Sequence, residues 1–258
     1  MKNLLLVCLL AAASTAADAE IGKPTVLITG ANRGIGFEFV RQLSARDWRV
    51  IATTRKPEAA TELQALAAAD PDILIEYLDV TDHEGIDALA EKYRDQPIDI
   101  LLLNAAMGPT SETAGRRLAK LDFDVARQSF EVNTIGPMKV AQAFMPNVEA
   151  SQLKLVLAMS SDSGSFVAGS KVAALYHYKA SKAALNMYFH TLHYETRRKG
   201  VTAVMLHPGM VGTNPQLMRF PGALKPSDSV AQLLVVIDGL GPADNGRFVD
   251  YQGETMPW

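Results

Sequence analysis

The sequence predicts an α/β fold, a single doubly wound sandwich with a parallel β-sheet between two layers of helices. Three observations predict it. Short apolar runs alternate with helix-length segments through most of the chain. The runs are continuously apolar rather than alternating, which suits strands buried on both faces of a parallel sheet. Glycine, proline, polar and charged residues follow the strand-like runs at Gly30, Arg55, Asp79, Asn104, Ser161 and Pro208. In an open α/β sheet that is where ligands bind.

Taken in order, the apolar runs place strands at Thr25–Thr29, Arg49–Thr54, Ile73–Leu78, Ile98–Leu103, Leu153–Met159, Val201–Leu206 and Phe248–Asp250. The segments between them place helices at Ile35–Arg46, Pro57–Ala69, His83–Arg94, Asp122–Asn147, Tyr176–Lys199 and Pro226–Gly239. Right-handed crossovers join such strands into one sheet. Gly108–Lys120 and Asn214–Lys225 read as longer loops at the strand ends, positions that shape a substrate pocket.

The 258 residues suffice for one domain with a large core, and 48% hydrophobic with 21% charged residues fits a globular protein. A net charge of −3, with no basic run, leaves no footprint for nucleic acid or an anionic membrane. Residues 1–19 differ from the rest. Lys2 is followed by the apolar stretch Leu4–Ala13, and Ala17-Asp18-Ala19 is an A-x-A site before Glu20. This predicts a secretory signal peptide cleaved after Ala19, with residues 20–258 as the mature domain. The apolar stretch is too short for a stable membrane span. Cys8 lacks the small residues of a lipoprotein site, and cleavage removes this one cysteine, so the mature chain forms no disulfide. The expected destination is secreted or periplasmic, or cytoplasmic if the leader is misread.

After the first strand comes Thr29-Gly30-Ala31-Asn32-Arg33-Gly34-Ile35-Gly36, opening a helix. Glycines permit a sharp turn and close approach of backbone to a pyrophosphate, and a helix N-terminus offers N–H groups to the anion. The spacing is G-x-x-x-G-x-G, not the familiar G-x-G-x-x-G. Far downstream, Tyr178-Lys179-Ala180-Ser181-Lys182 places a tyrosine and a lysine one helical turn apart. Ser160-Ser161-Asp162-Ser163-Gly164 precedes it, and His207-Pro208-Gly209-Met210-Val211-Gly212-Thr213 follows.

With TGANRGIG at 29–36, LDV at 78–80, LNAA at 103–106, Asn133, SSDSG at 160–164, YKASK at 178–182 and PGMVGT at 208–213, the chain resembles the short-chain dehydrogenase/reductase family. The resemblance runs from Thr25 to Trp258. The ending, with Gly246–Tyr251 and Pro257-Trp258, looks more narrowly like the C-factor and sniffer-type carbonyl reductases. It implies a Rossmann-like fold, a nicotinamide cofactor and a small-molecule carbonyl or alcohol substrate. By resemblance the cofactor is held by Gly30, Asn32, Arg33, Gly34, Ile35 and Gly36, by Arg55, by Asp79 and Val80, and by Asn104, Ala105 and Ala106. Tyr178, Lys182, Pro208, Gly209, Val211 and Thr213 complete the set. Asp79 suits two roles, the adenine edge or helix capping with Thr81 and Asp82. Met107 before Gly108 extends the family's N-A-G pattern and leaves contacts beyond Ala106 open. Thr54 stands where an NAD enzyme would place an acid, with Arg33 and Arg55 free to bind a 2′-phosphate, so NADP(H) is expected over NAD(H). The plainer reading of both arginines is a solvated surface.

Reducing a carbonyl needs a proton donor for the developing alkoxide. Tyr178 fits that role if its pKa is tuned, and the charge of Lys182 favours tyrosinate. Ser161 rather than Ser160 stands three before a glycine, as the family's substrate-orienting serine does. Asn133 matches the asparagine that positions a relay water near the lysine. The segment Ser165–His177 is expected in a pocket wall, with His177 as packing. His190 and His193 with Glu195 lack the third ligand and geometry of a zinc site, so no metal is expected. Met205, Met210, Met218 and Phe220 suit either an apolar substrate site or core and lid packing. The expected activity is NADP(H)-dependent carbonyl reduction or its reverse. The alternative is an exported cofactor-binding signalling or regulatory protein of C-factor type. The family's helices carrying Asn133 and Tyr178 commonly pack against a partner, which allows a homodimer.

Overall fold

The computed structural model describes residues 22–258; the leader, its cleavage point after Ala19 and Cys8 lie outside the described residues. Seven parallel strands form one sheet: β1 (Thr25–Ile28), β2 (Arg49–Thr54), β3 (Ile73–Tyr77), β4 (Ile100–Leu103), β5 (Leu155–Met159), β6 (Thr202–His207) and β7 (Phe248–Asp250). Their order is β3-β2-β1-β4-β5-β6-β7. After β3 the chain returns to the other side of β1, so the order reverses between β1 and β4. That switch point opens a crevice at the carboxyl ends of the strands.

Helices α1 (Gly34–Ser44), α2 (Thr61–Ala69) and α7 (Pro226–Asp238) cover one face; α3 (His83–Lys92), α5 (Gly136–Glu149) and α6 (Tyr176–Thr196) cover the other. The period of two along a strand divides the core. Val26 and Ile28 of β1 join Phe39, Leu63 and Leu233 on the first face, whereas Leu27 joins Ile86, Phe144 and Phe189 on the second. All of β1 is buried, as a sheet covered on both faces requires.

Most element boundaries shift from expectation by a few residues, and three departures stand out. Strand β4 starts at Ile100, and just before it the Asp99 side chain accepts the Thr25 N–H (2.9 Å) and the Gln152 N–H (3.1 Å). Strand β5 starts at Leu155, because Lys154 has φ 54°, outside any strand geometry. The long helix expected over Asp122–Asn147 divides into α4 (Phe123–Phe130), a π-helical turn over Glu131–Ile135, and α5. A π turn is a single-turn bulge inside an otherwise helical segment, and no residue type in the sequence marks it. Asp122 caps α4, accepting the N–H groups of Asp124 (3.0 Å) and Val125 (3.3 Å). At the other end of the chain, the Trp258 ring packs on His190 (5.0 Å) and Phe248 (5.8 Å).

Candidate active site

The glycine loop sits at the switch point. Gly30 has φ 69°, and a Cβ there would lie 2.9 Å from Ala105 Cα. A Cβ on Gly36 would lie 2.3 Å from the Gly30 carbonyl oxygen and 2.5 Å from Asn104 Nδ2. These positions therefore require glycine for close packing between the ends of β1 and β4. The same packing is drawn together by polar bonds. Thr29 Oγ1 accepts the N–H groups of Asn104 and Ala105, both at 2.9 Å. Asn104 Nδ2 donates to the carbonyls of Thr29 (2.9 Å) and Gly30 (3.1 Å), and the Ala31 N–H ties the loop to Thr53 O at 2.8 Å. At the start of α1, the N–H groups of Gly34, Ile35 and Gly36 have no protein acceptor among the described residues. Donors of this kind, above a floor too tight for any side chain, fit a pyrophosphate.

The other expected cofactor residues border this loop. Val211 is buried and bridges to Leu224, while the Thr213 methyl lies 3.2 Å from where a Cβ of Gly34 would stand. The segment after β6 thus folds back over the start of α1. Pro208 is buried and its carbonyl accepts from Ser229 Oγ at 2.7 Å; Gly209 lies against Tyr251. Arg33 and Arg55 are both exposed, Asn32 is half-buried and Ala106 is exposed. Neither arginine takes part in an ion pair among the described residues. Thr54 is buried, its hydroxyl accepting from the Lys56 N–H. Asp79 turns to Thr81, accepting its N–H (2.9 Å) and hydroxyl (2.8 Å), whereas Asp82 caps α3 through the Gly85 N–H. Val80 is buried in the core beside Leu78.

At the neighbouring strand end, Ser160 and Ser161 part company. Ser160 Oγ donates inward to Asn186 Oδ1 at 2.5 Å. Ser161 begins a short 3-10 turn, Asp162–Gly164, with its hydroxyl close to the Tyr178 phenol. Its hydroxyl donates to Asp162 Oδ1 (2.9 Å) and accepts the Ser163 N–H (3.1 Å). One turn further along α6, Lys182 is buried and donates from Nζ to Met159 O at 2.8 Å. Asn133 occupies the π turn, fully buried. Its Oδ1 accepts the Met107 N–H (2.7 Å), and its Nδ2 donates to Met107 O (3.0 Å) and Ser181 Oγ (3.0 Å). The π turn aims Asn133 at both the strand-end segment after β4 and the helix of Tyr178.

Burial pushes the Tyr178 phenol above its ordinary pKa, and the Asp162 carboxylate pushes it further; the nearby Ser161 hydroxyl acts the other way. Burial pushes Lys182 down to about 8, since a desolvated ammonium is disfavoured. The site therefore holds Tyr178 as the neutral phenol rather than the tyrosinate.

Other expectations resolve into packing. Met205 lies in the core of β6, whereas Met210, Met218 and Phe220 are exposed on the segment after that strand. His177 packs on Phe123 (centroids 6.4 Å apart), and the segment before it is pinned by Lys179 Nζ to Ser170 O and Val172 O. His190 and His193 lie in an aromatic cluster with Tyr194 and Trp258. Thr29, Asp162 and Ser181 were not singled out by their chemistry in sequence, although each lies inside a quoted motif. Their partners become neighbours only through folding.

The family model for short chain dehydrogenase matches residues 24–220. The chain belongs to the short-chain dehydrogenase family. Among solved structures it is similar to the carbonyl reductase Sniffer of Drosophila melanogaster, with 28% identity, TM-score 0.82, and coverage of 92% of this chain and 100% of that one. It is also similar to an NADPH-bound carbonyl reductase from chicken fatty liver, with 30% identity, TM-score 0.82, and coverage of 93% and 96%. Among curated relatives, the C-signal protein of Myxococcus xanthus is 39% identical over 165 residues, which is 63% of this chain and 93% of that protein. As a short-chain dehydrogenase the protein is an oxidoreductase. Among the described residues no helix is long and apolar enough to cross a membrane.

Proposed function

We propose that this chain is an NADP(H)-dependent reductase that interconverts a small-molecule carbonyl and the corresponding alcohol, with Tyr178 as general acid/base. The observation that carries the reading is the meeting of Ser161, Tyr178 and Lys182 at the strand ends beside a glycine loop in which the N–H groups of Gly34, Ile35 and Gly36 have no protein acceptor among the described residues. A bound nicotinamide cofactor supplies the hydride. The chain's own residues do the rest. Tyr178, kept neutral by burial, donates its phenolic proton to the oxygen that becomes the alcohol. Ser161 turns its hydroxyl from Asp162 to that oxygen and orients it. Lys182, which donates to Met159 O here, would bond the ribose of a bound cofactor, and Asn133 fixes the segment after β4 against α6. The exposed Arg33 and Arg55, with Thr54 in place of an acid, support NADP(H) over NAD(H).

The test is Tyr178→Phe, which keeps the ring and removes the proton donor. Carbonyl turnover should fall by at least about a hundredfold, the lower range of acid–base catalysis, while NADPH affinity stays near wild type. Turnover near the wild-type rate removes Tyr178 as the acid. Likeness to the C-signal protein supports a second reading, a cofactor-binding protein with a signalling or regulatory role. In that case the cellular role survives Tyr178→Phe. The leader supports export, with cleavage after Ala19.

A further inference from the structure

Ser161 lies on a turn whose far end is held by Asn186, which donates from Nδ2 to Gly164 O at 3.3 Å, and by Ser165 Oγ, which donates to Pro257 O at 2.6 Å. Within it, the Gly164 N–H donates to Ser161 O (2.9 Å) and the Ser165 N–H to Asp162 O (2.9 Å). Toward the sheet, the Ser160 N–H donates to Leu206 O (2.8 Å), and one side chain of β6 reaches the turn itself. The Asp162 N–H donates to Nδ1 of His207 at 3.2 Å. His207 ends β6, the strand next to β5, and its register partner in β7 is Asp250. We infer that His207 is a positioning residue: its neutral imidazole accepts the Asp162 N–H and so holds the Ser161 hydroxyl in register with Tyr178. This inference rests on the roles proposed above for Ser161 and Tyr178.

The chemistry makes the anchor conditional. Nδ1 can accept only with its lone pair free, which puts the ring hydrogen on Nε2. A second proton would occupy Nδ1, set N–H against N–H and release Asp162. Three groups oppose one another around the ring. Burial holds the imidazole pKa below its ordinary value, while the carboxylates of Asp162, on the turn, and Asp250, on β7, pull it upward. From α6, Tyr178 faces Ser161 and Lys182 is tied to Met159 O, so neither ammonium nor phenol is bonded to the imidazole. Near neutral pH His207 is therefore uncharged and the anchor is closed; in acid it opens.

The variants His207→Asn and His207→Leu test this in the full-length protein, with NADPH and a carbonyl substrate that wild type reduces. Asparagine can place an acceptor near the Nδ1 position and does not titrate. Its kcat at pH 7.5 should stay within about threefold of wild type, and the acid-side fall of kcat should disappear. Leucine leaves the Asp162 N–H without an acceptor. Its kcat should drop about tenfold, the size of one lost buried bond, with the NADPH Kd unchanged. An acid limb in His207→Asn identical to wild type overturns the inference, as does full activity in His207→Leu. A nuclear magnetic resonance titration of wild type is independent of turnover. The His207 nitrogens should report the Nε2–H tautomer, and the Asp162 amide should shift with the same midpoint, below 6.5. An Nδ1–H tautomer, or an Asp162 amide that ignores the titration, refutes the anchor. A wild type that reduces no carbonyl refutes the proposed function instead, and the titration still decides the anchor.

Discussion

Asn133→Ala isolates what the π turn contributes. The side chain is fully buried and makes three hydrogen bonds, at 2.7, 3.0 and 3.0 Å, to both backbone groups of Met107 and to Ser181 Oγ. A net bond is worth about 1 kcal/mol, so their loss costs about 3 kcal/mol. Alanine's better helix propensity returns at most about 0.7 kcal/mol. The expected destabilisation is thus about 2–3 kcal/mol, or about 5–10 °C in Tm for a domain of this size. Urea unfolding should show a lower midpoint at unchanged m-value. Ser181 Oγ accepts from Asn133 while donating to Tyr178 O at 2.9 Å. A double-mutant cycle with Ser181→Ala should therefore show a coupling of about 1 kcal/mol. NADPH affinity should fall as well, because Met107 closes the strand-end segment that begins at Asn104. A loss below about 0.5 kcal/mol with zero coupling would show that the π turn is held by its helical neighbours and not by Asn133.

Three further outcomes follow from the same geometry. Lys182 is pushed down to about 8 from an ordinary 10.5, so the unfolded chain binds its proton across that window and the folded chain does not. This residue's contribution to stability therefore rises between those pH values, and Lys182→Met, compared with wild type by urea unfolding at pH 7, 9 and 10, should abolish that part of the rise while eliminating turnover. Arg55→Ala should weaken NADPH by about 1–3 kcal/mol and leave NADH unchanged in calorimetry; equal losses would refute the 2′-phosphate assignment. Mass spectrometry of the protein from its native host should find Glu20 as the first residue, and finding only the full-length or Met-trimmed chain would overturn both the leader and the export.

The sequence by itself determined the class of fold. Continuous apolar runs such as Val26–Ile28 and Leu101–Leu103 demand burial on both faces, and only helices above and below a parallel sheet provide it. It also determined which residues meet at the strand ends, because chain direction puts Gly30, Asn104, Ser161 and Pro208 on one edge. Tyr178 and Lys182 were legible as a pair because a helical turn separates them. Only the tertiary structure decided their state. Burial, which no local pattern encodes, pushes the Tyr178 phenol up and the Lys182 ammonium down. The same holds for Asn133, whose partners Met107 and Ser181 lie far from it in sequence, and for His207. That histidine lies 45 residues from the Asp162 amide it receives, and nothing in the intervening chain specifies the bond. Pairings within one turn or one strand follow from backbone period, whereas bonds across the sheet depend on which strands become neighbours.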